Sequence, residues 1–161
     1  MANEKRQPNV LFIMADQFRG DWMSCVGGPA KTPNLDAIAA EGIVFTQCST
    51  CAPLCVPARI GLFSGKYAHT TGAWDNQQFI LSPDANIWSK QLHDLGYATS
   101  LFGKTHIHGG SGDFIAREPM LHAYGFDTVD EITGPHACCK SRTYMTERWA
   151  EKGLLEPFKK D

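Results

Sequence analysis

Cys55-Val-Pro-Ala-Arg59 places a thiol two residues before a proline and four before an arginine. The chain before it, Cys51-Ala-Pro-Leu54, reads as irregular, and Ile60–Gly65 after it reads as a short helix. A thiol at a helix start faces backbone N–H donors and the positive end of the helix dipole. Arg59, one turn on, adds a full positive charge. That combination suits an anion, or an oxygen or sulfur nucleophile activated by its surroundings. A second chemical pair is Asp16-Gln17, where a carboxylate and an amide oxygen emerge together. Either Asp16 holds a cation there or it caps the next turn.

The elements that must position these groups follow from the apolar pattern. Asn9–Ala15 is a continuous apolar run, as expected of a strand buried on both faces of a parallel sheet. Ligands of open α/β sheets bind outside the carboxyl ends of strands, which is where Asp16 stands. Thr32-Pro33 reads as an extended turn, Asn34 as the cap of a helix through Ala40, and Gly42 as its end. Ile43–Phe45 begins a second strand. A helix over 86–95, with apolar residues at 87, 88, 92 and 95 and Gly96 at its end, leads into a strand at Tyr97–Phe102. That strand delivers Gly103-Lys104-Thr105-His106. Beyond Gly109 the pattern weakens, with one helix expected over Arg142–Lys152.

Cys55-x-Pro-x-Arg59 followed by Leu62-Phe-Ser-Gly65 resembles the modification motif of the sulfatase family, with Ala58 and Ser64 as variants. Lys31-Thr-Pro-Asn-Leu-Asp36 and Gly103-Lys-Thr-His106 resemble further family segments, the first a scaffold, and the resemblance spans roughly residues 8–130. It implies an α/β, alkaline phosphatase-like three-layer fold with a mostly parallel central sheet. Residues 1–161 would be the N-terminal part of its catalytic domain, with 1–8 a flexible leader and 110–161 weakly patterned. It also implies that Cys55 is oxidised to formylglycine by a formylglycine-generating or other sulfatase-maturing enzyme. The hydrated aldehyde has two hydroxyls on one carbon. One attacks sulfur, and loss of a proton from the other re-forms the aldehyde and expels sulfate. By the same resemblance Asp16, Gln17 and residue 55 hold a divalent metal, calcium foremost, with manganese or magnesium as alternatives. Arg59 steadies the hydrated aldehyde, Lys104 and His106 contact sulfate oxygens, and Asn76 lies near the substrate. A lysine ammonium is a compact charge for one such oxygen, and a histidine can protonate a departing one.

Asp-Gln at 16–17 is the form that relatives acting on phosphonate monoesters can carry; many sulfatases have two acidic residues there. A phosphonate monoester or phosphodiester hydrolase with the same nucleophile is therefore the alternative. The residues named for the metal supply three or four of the six to eight oxygens calcium takes. The isolated chain is expected to bind metal weakly and to turn over little.

Cys48, Cys51 and Cys55 form Cys-x2-Cys-x3-Cys, which raises a third possibility, a thiolate metal or redox module or a non-catalytic remnant. That set lacks a well-spaced fourth thiolate, and Cys138-Cys139 are distant and adjacent. Cys25, Cys48 and Cys51 are expected to be buried or partly buried thiols. His106-x-His108 has metal-ligand spacing but reads as a polar loop before Gly109-Gly110. Composition is that of a soluble globular protein, 43% apolar and 20% charged, and the net charge of −2 favours neither nucleic acid nor an anionic membrane as partner. No apolar run of membrane-spanning length occurs. With no secretory leader before the first apolar run, a cytoplasmic location is the expectation.

Overall fold

The computed structural model describes residues 7–77 and 79–160; positions 1–6 of the expected leader lie outside them. The chain divides into two units, Met1–Cys48 and Ser49–Asp161.

In the first unit, Gly20–Trp22 and Ser24–Val26 are 3-10 turns and α1 spans Pro33–Glu41. Helix α1 begins at Pro33, whose missing N–H costs nothing in a first turn, and Thr32 rather than Asn34 is its cap residue. Ser24 and Thr32 exchange backbone-to-hydroxyl hydrogen bonds of 3.0 and 3.1 Å, and both hydroxyls donate to Asp36. The Thr-Pro-Asn-Leu-Asp segment is thus a polar lock between turn and helix. The run at 9–15 differs from expectation: it is not a strand, and Leu11 is 83% exposed. Ile43–Phe45 likewise forms no strand. An apolar sequence supplies cover for a sheet but not the ladder itself; backbone N–H and C=O groups need a paired neighbour. Among the described residues neither run belongs to a strand ladder.

The second unit holds α2 (Cys55–Ser64), α3 (Ala68–Thr71), α4 (Trp88–Asp94), β1 (Ser100–Gly103), β2 (Gly112–Asp113), α5 (Glu118–Ala123), β3 (Thr128–Glu131), α6 (Pro135–Cys138), β4 (Ser141–Arg142), α7 (Tyr144–Glu151) and α8 (Leu155–Phe158). Both ladders are parallel: β1 pairs with β3 in the register Ser100↔Thr128 to Gly103↔Glu131, and β2 with β4. Parallel neighbours need a crossover, and α5 supplies it between β1 and β3. The architecture is the expected α/β class. Strand β1 starts at Ser100 rather than Tyr97, because Thr99 is engaged by Asp127 and by the Gly125 carbonyl. Helix α7 is close to its expected range, and Thr143 and Thr146 close a capping box at its start. No helix among the described residues is long and apolar enough to cross a membrane.

Helix α2 is held by its apolar face. Val56, Ile60 and Phe63 recur at helical spacing and enter a core with Ala73, Leu81, Ile87, Ile107, Leu121, Tyr124 and Phe126. Phe63 stacks on Trp88 at 5.2 Å between ring centroids and meets Phe126 edge-on. Each such side chain contributes about 1.5–3 kcal/mol by leaving water. Gly125 allows the close approach behind this core: a Cβ there would stand 2.5 Å from the Lys90 Cα.

Candidate active site

Cys55 is the first residue of α2, a full turn earlier than the sequence pattern places the helix, and is half-buried. The cap residue Leu54 has no side chain able to serve the free N–H groups. Asn76 does so from elsewhere in the chain: its amide oxygen accepts the Val56 N–H at 2.9 Å. Asn76, assigned to the substrate by resemblance, thereby fastens the start of the cysteine's helix. Pro57 is tolerated because its missing N–H belongs to the first turn. Gly65 closes α2 with φ +66° and an N–H bond to the Gly61 carbonyl.

Arg59 is buried, and its guanidinium donates through Nη1 to the backbone carbonyl of Lys104. That bond ties α2 to the segment leaving β1. Cys55, Arg59, Asn76 and Lys104 are thus linked within the second unit through two hydrogen bonds. Lys104 is half-buried, with its ammonium against Gly134, where a Cβ would stand 3.5 Å away.

Residues 104–108 divide by direction. Thr105, Ile107 and His108 are buried, whereas Lys104 and His106 are only partly covered. Thr105 donates its hydroxyl to one oxygen of Glu131, and His108 Nε2 lies 2.6 Å from the other. Arg117 stands on the far side of His108, with Nη1 3.5 Å from Nδ1 and hydrogen bonds to the carbonyls of Gly109 and Ser111. His108 is therefore a buried, fully flanked residue and not part of a solvated polar loop. The sequence reading missed Glu131. Its signal was Thr128-Val-Asp-Glu131, a short β-branched run ending in a carboxylate at a strand's C-terminal tip. The charge of Glu131, after burial itself, also helps raise the Tyr124 phenol to about 12.

Asp16 and Gln17 lie in the first unit and are exposed. Gln17 and His106 have φ of 54° and 55°, the only non-glycine residues with positive φ among the described ones. Side chains with a Cβ rarely occupy this region, and where they do, function is a common reason. The donors named for a metal, a carboxylate, an amide oxygen and an oxygen on converted residue 55, are chemically suited to a hard divalent cation. Their number falls short of a full shell, and among the described residues no three His, Cys, Asp or Glu side chains gather as a metal site. Cys25, Cys48 and Cys51 are exposed free thiols, not the buried or partly buried ones expected. Cys51 nonetheless touches α2: a Cβ on Gly61 would come within 2.5 Å of its sulfur.

The profile of the family described as Sulfatase matches residues 8–154. The chain belongs to the sulfatase family. The ulvan-active sulfatase of Formosa agariphila is 36% identical over 162 residues, covering 97% of this chain and 30% of that protein. A solved structure of a protein with its substrate D-glucosamine-2-N,6-O-disulfate aligns with a TM-score of 0.60 and 38% identity, over 63% of this chain and 21% of that one. The phosphonate monoester hydrolase of Agrobacterium radiobacter aligns with a TM-score of 0.68 and 29% identity, over 93% of this chain and 30% of that one. These neighbours give the second unit's parallel ladders their setting, the alkaline phosphatase-like α/β fold. The chain spans about a fifth to three tenths of the length of the curated relatives it matches.

Proposed function

We propose that the protein carrying this chain is a sulfuric ester hydrolase acting on a sulfated small molecule, with residue 55 as its nucleophile after conversion to formylglycine. What supports this most is family membership together with the position of Cys55 at the first residue of a helix whose next turn carries the buried Arg59. Hydrated formylglycine would supply a hydroxyl for attack and a second one for release. A divalent cation, calcium foremost, would supply charge to acidify that hydroxyl, held by Asp16, Gln17 and the residue 55 oxygen.

The chain's own residues carry the remaining tasks. The N–H groups of the first turn of α2 and the Arg59 charge favour negative charge at residue 55. Asn76 keeps that turn from fraying. Lys104 and His106 bind two sulfate oxygens, and His106 is the group able to hand a proton to the departing alcohol. Arg59, bonded to the Lys104 carbonyl, keeps the nucleophile's helix and the anion-binding segment in register. A second reading, hydrolysis of phosphonate monoesters, is favoured by Gln17 and by the phosphonate hydrolase that aligns over nearly the whole chain.

The test is mass spectrometry of the peptide holding residue 55, paired with rates on 4-nitrophenyl sulfate and on an aryl phosphonate monoester. Conversion removes about 18 daltons, and Cys55→Ala is expected to lower turnover by more than about a thousand-fold. A protein with an unconverted thiol and equal rates for wild type and Cys55→Ala is not this enzyme. A higher rate on the phosphonate decides for the second reading.

A further inference from the structure

The segment that carries Lys104 and His106 has an unusual construction. His106 sits at φ 55°, a conformation that persists in a residue with a side chain only where its surroundings over-determine it. On either side of it, Thr105 and His108 turn inward and meet the two oxygens of one carboxylate, Glu131. All three are buried to 3% exposure or less. Glu131 is itself the last residue of β3, paired in register with Gly103 at the end of β1, and the next residue, Ile132, donates its N–H to the Gly103 carbonyl at 3.1 Å. The carboxylate therefore grips the chain just where it leaves the sheet.

The remaining neighbours set the direction of each bond. Arg117 can only donate, so Nδ1 of His108 accepts and Nε2 donates to Glu131. Phe114 lies over the same imidazole at 5.2 Å and is itself covered by the Arg117 guanidinium. A carboxylate buried this deeply is costly unless its oxygens are satisfied. Here they are satisfied by two residues of one short loop, so any rearrangement of that loop would strand the charge. Such an arrangement favours one loop conformation over all others.

We propose that Glu131 is a positioning residue which, with His108 and Thr105, clamps residues 104–108 so that Lys104 and His106 are presented together to the anion. This rests on the sulfate-ester reading for what the segment presents, but not for the clamp itself. It gives His108 a role that metal-ligand spacing with His106 obscures: the two histidines are turned to different work, one inward as a strut and one outward to the ligand.

Steady-state kinetics on 4-nitrophenyl sulfate, with the full matured protein, test it in wild type, Glu131→Ala, His108→Ala, His108→Gln and each combined with His106→Ala. A clamp predicts that kcat falls about a hundred-fold in Glu131→Ala and His108→Ala, the size of loss expected for a misplacement of about 1 Å. His108→Gln, whose amide can donate to Glu131 and accept from Arg117, should recover most of that loss. In the His106→Ala background the Glu131 substitution should cost clearly less, since one of the two groups it positions is gone and only Lys104 remains. An equal fold-loss in both backgrounds, or unchanged kcat in a folded Glu131→Ala protein, overturns the proposal. Hydrogen exchange supplies the arm that needs no turnover. Amides of 105–108 should exchange more than about tenfold faster in Glu131→Ala while α2 and α5 stay protected; unaltered exchange at 105–108 overturns the clamp. If wild type hydrolyses no sulfate ester, the functional reading fails and exchange alone decides the clamp.

Discussion

Residues 49–160 bury a core of ten apolar side chains, whereas no described residue within 7–48 is buried. Yet the first region carries the more apolar run of sequence, Val10–Met14. The difference lies in partners. In the second unit every element that enters the core does so beside another: α2 on α4 through Phe63 and Trp88, β1 on β3 through its ladder. The run at 9–15 and the run at 43–45 have no ladder partner among the described residues and remain exposed. Hydrophobicity gives a strand a reason to be covered; hydrogen-bonded neighbours make it a strand.

The contrast is broken most directly by deleting apolar groups in each region. Phe63→Ala should destabilise the protein by about 3–5 kcal/mol, whereas Leu11→Ala, 83% exposed, should stay within about 0.5 kcal/mol. Denaturant unfolding of both variants reads this, and a large cost at Leu11 would mean that the first region is packed after all. Tyr124 sharpens the same contrast within the core. Its hydroxyl donates to the Leu81 carbonyl, and Tyr124→Phe should cost about 1 kcal/mol near neutral pH by orphaning that carbonyl. Burial, with the Glu131 charge, raises this phenol from 10.0 to about 12. The folded state therefore keeps a proton that the unfolded chain releases. The resulting stabilisation is complete below pH 10 and declines as the pH rises to about 12, and Tyr124→Phe should flatten that decline in thermal melts. A modest effect is also expected in the first unit's polar lock. Ser24→Ala removes the hydroxyl shared with Thr32 and Asp36 and should cost about 0.5–1 kcal/mol, read as faster amide exchange across residues 24–36.

Several elements were legible because their cause is local. The turn-to-helix signal at Thr32-Pro33 marks α1, Gly65 marks the end of α2, and the spacing of apolar residues around Trp88 marks α4. Helix α2 starts at Cys55, a turn before Ile60, and Pro57 is accommodated there because it stands where no N–H is required. Residues 110–161 have little periodicity, yet Phe114, Leu121, Tyr124 and Phe126 enter the interior from there. Their helices and strands are short, and a single turn of helix has too few positions to show a repeat.

The linear chain by itself determined which chemical groups are available: a cysteine with proline and arginine at set distances, Asp16 beside Gln17, and Lys104 and His106 after a glycine. These depend on residue type and near-neighbour spacing, which the order of residues records directly. Only the tertiary structure decided that Asn76 reaches back to the start of α2, that Arg59 bonds the Lys104 backbone, and that Glu131 grips Thr105 and His108. Each of those bonds joins residues twenty or more positions apart. Such pairings are set by how helices and strands pack, and packing answers to the whole core rather than to any short stretch of chain.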